Sequence, residues 1–363
     1  LVRVFVFFAK LHEMATPSKK EVPMVEIISV EQAIGRILFH DITRIAPGEF
    51  KGRAFKKGHH ITEDDVPKLK ELGKDRVYVL NLSDGFVHEN EAAERIATAI
   101  AGPNINLSEP NQGKVELTAA GNGLLKIDAA LLHRLNNLPD VTIATLHTNR
   151  QVDTGKAVAG TRIIPLFTAE ENILRLEEIC RAHPPLVSIK PFEARRIGVI
   201  TTGNEIFYGR IADRFGPVIR DKFQSWGSTV FRQVVVPDQV SAIVDAIHAM
   251  LAEKAGMIVL TGGMSVDPDD LTPASIRASG AQVISFGAPT YPGAMFMLAE
   301  INGVPMVGLP GCAMYHKATI VELIIPRLLA GERITREDIV ALGHGGLCAS
   351  CADCRYPDCG FGT

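Results

Sequence analysis

No run of apolar residues in this 363-residue chain reaches the roughly 18–20 needed to span a bilayer, so no membrane-spanning helix is expected. Charge of one sign is missing as well. Lys and Arg number 38 against 41 Asp and Glu, for a net charge of -3, which leaves no basic footprint for nucleic acid or an acidic membrane surface. Cysteine is scarce through the body of the chain: only Cys180 and Cys312 lie outside the last sixteen residues. Such a distribution does not make a disulfide framework. An export signal is lacking too. Val2 to Ala9 is apolar but short, Arg3 interrupts it, and Lys10, His12 and Glu13 follow without a convincing cleavage site. Residues 1–21 are read as a leader outside the folded body, either disordered or ahead of a start at Met14, and the expected location is cytoplasmic.

What is present is an ordinary globular composition, 46% hydrophobic and 22% charged, in a chain long enough for two domains or three small ones. Residues 22–80 read as an N-terminal module. Ser29 and Gln32 have the spacing of a capping box ahead of a short helix over Val30 to Leu38. A second helix runs from Thr62 to Leu72 with Gly73 closing it, and Asp75 to Leu80 is a strand. Residues 81–192 mix α and β signals: helices from His88, over Asp128 to Leu135 and over Glu170 to Arg181, with strands at Lys114 to Leu117 and Val141 to Thr145. His183-Pro184-Pro185 and Pro191 read as a linker.

From residue 193 to about 332 strands and helices alternate. Strands are expected at 196–201, 229–236, 257–260, 282–286 and 305–309, with helices at 213–226, after Asp238, at 271–278 and at 313–329. That alternation predicts an α/β fold, a doubly wound, mostly parallel sheet with helices on both faces. In such sheets ligands bind beyond the carboxyl ends of the strands. Three of those ends carry suggestive loops: Thr201-Thr202-Gly203-Asn204-Glu205, Thr261-Gly262-Gly263-Met264-Ser265 and Leu309-Pro310-Gly311-Cys312-Ala313. Paired glycines before a helix start allow backbone N–H groups to approach an anion closely. Hydroxyls at Thr261, Ser265 and Thr272 and a carboxylate at Asp270 complete a set suited to a phosphorylated, polar, ring-bearing ligand.

Together the three loops resemble the molybdopterin-binding domain of molybdenum-cofactor biosynthesis proteins. Thr202-Gly203-Asn204-Glu205 is similar to a Thr-Gly-Asp-Glu turn of that family. Gly262, Gly263, Ser265, Asp270 and Thr272 fit its Gly-Gly-x-Ser/Gly-x-x-x-x-Asp-x-Thr loop, and Leu309-Pro310-Gly311 fits the start of Leu-Pro-Gly-Asn-Pro. The first module also looks like an outlying domain of the molybdenum-insertion branch, through Val30 to Ile37 and Phe55-Lys56-Lys57-Gly58-His59. The resemblance implies molybdopterin, an adenylylated form or the finished cofactor as ligand, with its phosphate on the Gly262–Gly263 backbone. It implies Thr202, Gly203, Asn204, Thr261, Gly262, Gly263, Ser265, Thr272, Pro310 and Gly311 as binding residues. Asp270 and Glu205 would hold Mg²⁺, and the implied reaction is insertion of molybdenum or tungsten with hydrolysis of the adenylate. A homodimer, and a molybdoenzyme or a cofactor-biosynthesis protein as partner, belong to the same implication. Departures from the family are Asn204 for Asp, Asp267 at a position often Gly, Cys312 for Asn, Ala313 for Pro, and the basic Lys51-Gly52-Arg53 where the insertion enzymes are acidic.

Two rival functions stay open. One is a carrier or sensor that holds the cofactor without chemistry; the other is a nucleotide-pyrophosphate hydrolase of the competence-damage-inducible type, which shares the fold. Asp270 also reads as a helix-start residue and Glu205 as a solvated turn residue. His88-Glu89-Asn90-Glu91 is either an acidic first turn or a site facing a groove between domains. Arg53 and Arg162 could hold anionic oxygens or form surface ion pairs. In residues 333–363, Cys348, Cys351, Cys354 and Cys359 have a spacing close to a ferredoxin run and predict an iron–sulfur cluster or a closed zinc site.

Overall fold

The computed structural model describes residues 24–46, 50–81, 85–265, 267–268 and 270–363, and only the backbone at 24–25, 44–46, 50–53 and 80–81. The leader assigned to residues 1–21, and the Lys51 and Arg53 side chains, lie outside the described residues. No helix among the described residues is long and apolar enough to cross a membrane.

In the first part of the chain, strand Arg76–Asn81 lies between Met24–Ser29 and Ile37–Leu38 and is antiparallel to both. Val30, Ala33, Leu38, Leu69, Val77 and Val79 form its core. The helix expected over Val30 to Leu38 is absent. Residues 30–35 are turns, and Gly35 at φ +78° breaks helical geometry before Ile37–Leu38 pairs with Val79 and Leu80. Gly73, at φ +70°, closes helix Asp65–Glu71 as its sequence position predicts.

In the middle part, helices Glu89–Ile100 and Glu170–Arg181 pack together beside a four-stranded antiparallel sheet. Ile96, Ile100, Leu117, Val158, Ile173 and Leu176 lie in one buried core. The segment read as a linker is a strand over Val187–Pro191, antiparallel to Gly123–Ile127. Val187 and Ile189 are buried, and the strand is at a sheet edge, where a terminal proline costs no ladder bond.

The rest is built on one six-stranded sheet. Its strands are β1 (Arg196–Thr202), β2 (Thr229–Val236), β3 (Met257–Thr261), β4 (Gln282–Phe286), β5 (Met297–Ile301) and β6 (Val304–Leu309), in the order β2-β1-β3-β6-β5-β4. β2, β1, β3 and β6 are mutually parallel, whereas β5 runs antiparallel to both β6 and β4. Every residue of β3 is buried, so this strand reads as continuous Met-Ile-Val-Leu rather than as an alternation. Burying each such side chain stabilises by roughly 1.5–3 kcal/mol. One core face gathers Ile197, Val199, Val259 and Val307 against α5 (Ile320–Leu329); the other packs Ile200, Ile258 and Leu260 against α3 (Val240–Ala252). The remaining helices are α1 (Asn204–Phe207), α2 (Phe215–Ser225), α4 (Thr272–Ala278) and α6 (Arg336–Ala341).

Two sequence expectations change here. β5 was not anticipated, although Asn302 and Gly303, both at positive φ, are the turn signal of a two-residue hairpin between apolar runs. The helix expected over 313–329 divides into a 3₁₀ turn, Gly311–Met314, and α5. Thr319 and Glu322 form a reciprocal capping box that starts α5 afresh.

The middle part and the sheet domain touch through polar contacts. Trp226 Nε1 donates to Gln151 Oε1 at 2.8 Å, and Lys126 pairs with Glu332 at 2.6 Å.

Candidate functional site

β1 and β3 sit side by side, yet the chain leaves β1 toward β2 on one side and returns to β3 on the other. Their carboxyl ends flank a topological switch point, the place where open α/β sheets leave a crevice. Thr201, Thr261 and Leu309 are in register across β1, β3 and β6, so all three suggestive loops leave the same edge of the sheet. The sequence places them there, and the structure brings them together.

The first two loops are knitted to each other. Gly262 and Gly263 have φ of +84° and +55°. A Cβ at Gly262 would lie 2.1 Å from the Thr202 carbonyl oxygen, and one at Gly263 would lie 2.9 Å from Thr272 Oγ1. Glycine is thus demanded by the closure of the second loop on the first, whatever ligand is present. Thr272 Oγ1 donates to the Gly262 carbonyl at 2.8 Å and lies 3.2 Å from Thr202 Oγ1. Thr261 Oγ1 donates to Thr201 Oγ1 at 3.4 Å. Thr202, Thr261 and Thr272 are all buried, so these hydroxyls shape the loops from inside. Of the hydroxyl donors read from sequence, Ser265 is the exposed one. Gly262 and Gly263 are half-exposed, and Gly311 is exposed with open space around it.

Around this floor stand the acidic and amide side chains. Gly203, at φ +144°, leads into α1, on which Glu205 is exposed. Asn204 is committed to a neighbour: its backbone N–H donates to Asp238 Oδ2 at 2.8 Å, and its Oδ1 accepts from the Asp238 N–H at 3.3 Å. Asp238, just ahead of α3, thus fixes Asn204; the helix itself begins after Gln239 without a side-chain cap. Its position just beyond β2 was the signal that sequence reasoning overlooked. Asp270 Oδ2 accepts from the Asp267 N–H at 2.9 Å, closing its own loop, and α4 has no side-chain cap. Asp270 is therefore not the helix cap, and it lies half-buried beside the second loop.

Among the described residues no three His, Cys, Asp or Glu side chains come together as a set that could hold a metal ion. For Mg²⁺ this is no obstacle, since that ion keeps waters and is held by one or two carboxylates plus ligand phosphates. The tail is different, because a closed zinc or cluster site needs four converging thiolates. Cys348 and Cys359 are half-buried near Leu323 and Phe361, whereas Cys351 and Cys354 are exposed. Among the described residues the four are not gathered into one ligand set. What holds the tail is other chemistry: the Gly362 N–H donates to the Gly345 carbonyl at 2.9 Å, Tyr356 Oη donates to the Glu322 carbonyl at 3.0 Å, and Arg150 donates to the Cys359 carbonyl at 2.5 Å.

Comparison with known proteins bears on the same region. Residues 198–330 match a family model described as a probable molybdopterin binding domain. Residues 27–81 match another, described as a domain of unknown function. A CinA-like protein of Citrifermentans bemidjiense is 34% identical over 89 residues, 24% of this chain and 21% of its own. The molybdenum cofactor biosynthesis bifunctional protein of Synechococcus elongatus is 34% identical over 83 residues, 23% of this chain and 26% of its own. The chain thus spans only about a fifth to a quarter of the length of these curated relatives. A crystal structure of the tungsten cofactor synthesizing protein MoaB from Pyrococcus furiosus aligns with 39% of this chain and 98% of its own, at 23% identity and a TM-score of 0.33.

Proposed function

We propose, from the premise that residues 198–330 belong to the molybdopterin-binding domain family, that this chain binds a molybdopterin-type ligand and acts on it in cofactor biosynthesis. The observation that carries the reading is the convergence of three loops at the switch point of one sheet, with Thr201, Thr261 and Leu309 in register. In this reading the terminal phosphate lies on the Gly262–Gly263 backbone and the Ser265 hydroxyl, with Gly203 and Pro310-Gly311 as the flanking walls. Asp270, with Glu205 on α1, would hold Mg²⁺ against the phosphate, where it neutralises developing charge. Asn204 positions α1 through Asp238. We assign metal insertion into adenylylated molybdopterin as the activity and a homodimer as the working form. The tail cysteines would take up iron–sulfur or zinc only through rearrangement of the loop between Gly345 and Gly362.

The test is incubation with adenylylated molybdopterin, molybdate and Mg²⁺. The reading expects AMP release together with active cofactor, both lost in Asp270→Asn. Retention of the ligand without AMP release would make the chain a carrier. A second reading is favoured by the CinA-like relatives: hydrolysis of a nucleotide pyrophosphate at the same loops. Release of AMP from ADP-ribose, with no turnover of the pterin adenylate, would establish it.

A further inference from the structure

A second polar cleft lies away from the three loops, where residues 54–59 meet residues 89–90 and 110–112. Its volume is about 450 Å³, and Lys56, Lys57, His59, Glu89, Asn111 and Gln112 are among its lining residues. Behind its wall is His88, only 3% exposed. Its Nδ1 accepts from the Asn90 N–H at 3.3 Å, so in the neutral ring the proton sits on Nε2. That Nε2–H is buried and has no hydrogen-bond partner. A buried donor left unsatisfied costs about 1–3 kcal/mol and asks for an explanation. Burial, with His60 beside it, holds the ring neutral by pulling its pKa down to about 4. A metal on Nε2 would force the proton onto Nδ1, against the Asn90 N–H.

The donor and a carboxylate meet at one wall. The Cβ position of Gly58 (φ +87°) is 3.5 Å from both His88 Nε2 and Glu89 Oε1, and Gly58 lines the cleft. Gly113 lets the carboxylate lie close: a Cβ there would be 2.6 Å from Glu89 Oε2. Burial pushes the Glu89 carboxyl up, while Arg162 and Lys57 pull it down. Asp65, the other acid of the cleft, is already engaged by His59 at 2.7 Å and Lys68 at 3.6 Å.

Such a cleft offers cations for oxygen lone pairs and one carboxylate that needs a proton from the ligand, with the His88 N–H donor just behind Gly58. We propose that it binds a protonated tetrahedral oxyanion, namely hydrogen phosphate or a phosphate monoester group. Glu89 accepts the hydroxyl of the ligand, His88 Nε2–H donates to one of its oxygens, and Lys57 supplies counter-charge. Near pH 6 about half of a phosphate monoester still holds its second proton and inorganic phosphate always holds at least one, whereas sulfate carries none and would meet the carboxylate as repulsion.

Calorimetric titration of the full chain at pH 6 with inorganic phosphate, AMP and sulfate tests this. Phosphate or AMP should bind and sulfate should not; preference for phosphate marks a free-anion site, and preference for AMP a monoester site. Glu89→Gln should abolish the discrimination against sulfate. His88→Ala and Lys57→Ala should each weaken binding about tenfold or more; Lys57→Ala guards against a folding defect in the buried His88 variant. Binding should persist in Gly262→Val protein that circular dichroism shows to be folded, since its strain falls on the sheet loops. Absence of phosphate and AMP binding, equal binding of sulfate by the unmodified protein, insensitivity to all three cleft variants, or loss in Gly262→Val would each overturn the proposal.

Discussion

Gly262→Val is expected to lower stability by about 3 kcal/mol and to abolish retention of molybdopterin. The new Cβ would stand 2.1 Å from the Thr202 carbonyl oxygen, a backbone atom that cannot swing aside as a flexible side chain does. The φ of +84° adds strain, which is greatest for a β-branched residue. Relief requires parting the loops after β1 and β3, and that separation removes the phosphate cradle proposed there. Gly311→Ala is the matched control. Nothing lies within 4 Å of its Cβ position and its φ is not positive, so it should unfold within about 0.5 kcal/mol of the unmodified protein. Urea unfolding of both variants, with ligand retention by gel filtration, checks the pair. A Gly262→Val protein of unchanged stability and affinity would show that the loops do not close on each other as described.

Arg327→Ala should be comparably damaging for a different reason. Arg327 is buried in α5, and its guanidinium donates to Glu332 Oε2 at 2.9 Å and Asp338 Oδ1 at 2.7 Å. Glu332 also meets Lys126 at 2.6 Å and Lys190 at 3.3 Å, so the network ties the sheet domain to the middle of the chain. Removing the guanidinium takes one partner from each of two partly buried carboxylates, which keep only Lys126 and Lys190 at Glu332 and Thr335 at Asp338, at a cost of about 2–3 kcal/mol. The same network sets an acid limit. Burial alone would raise Glu332, but Lys126 and Arg327 hold it below its ordinary 4.5; burial likewise opposes Arg327 and Thr335 at Asp338, which lies below its ordinary 3.8. Both folded values lie below the unfolded ones. Their contribution is therefore complete above about pH 4.5 and is lost as the pH falls through the folded values. Urea midpoints between pH 7 and 3 should fall below pH 4.5 in the unmodified protein and fall less steeply in Arg327→Ala. Parallel pH profiles in the two proteins would remove the network from the account.

Much of the sheet domain is legible in the sequence because buried parallel strands leave unbroken apolar runs, such as Met257 to Leu260, between helix patterns. The loops are legible for the same reason: they fall at strand ends, and one sheet edge collects them. What sequence could not show is the inward turn of the Thr261 and Thr272 hydroxyls, since only the register of β1 against β3 decides which way they face. Asn204 gives no sign of its pairing with Asp238, 34 residues away. β5 was lost because an antiparallel insertion breaks the strand–helix rhythm, despite Asn302-Gly303. The Val30 to Leu38 segment has helical spacing, yet tertiary pairing with Val79 and Leu80 overrides it. In the tail, cysteine spacing says nothing of the backbone and ion-pair contacts at Gly345, Tyr356 and Asp358 that hold the loop. The His88 cleft was visible only as a dense polar helix start; its orphaned N–H needs coordinates to be seen.

Hydrogen exchange of the backbone amides with and without molybdopterin tests the central claim most directly. Exchange should slow in three separate segments at once, residues 202–205, 261–265 and 309–312, with little change in the tail. Protection confined to one of these segments, or falling instead on residues 54–59 and 88–90, would contradict it.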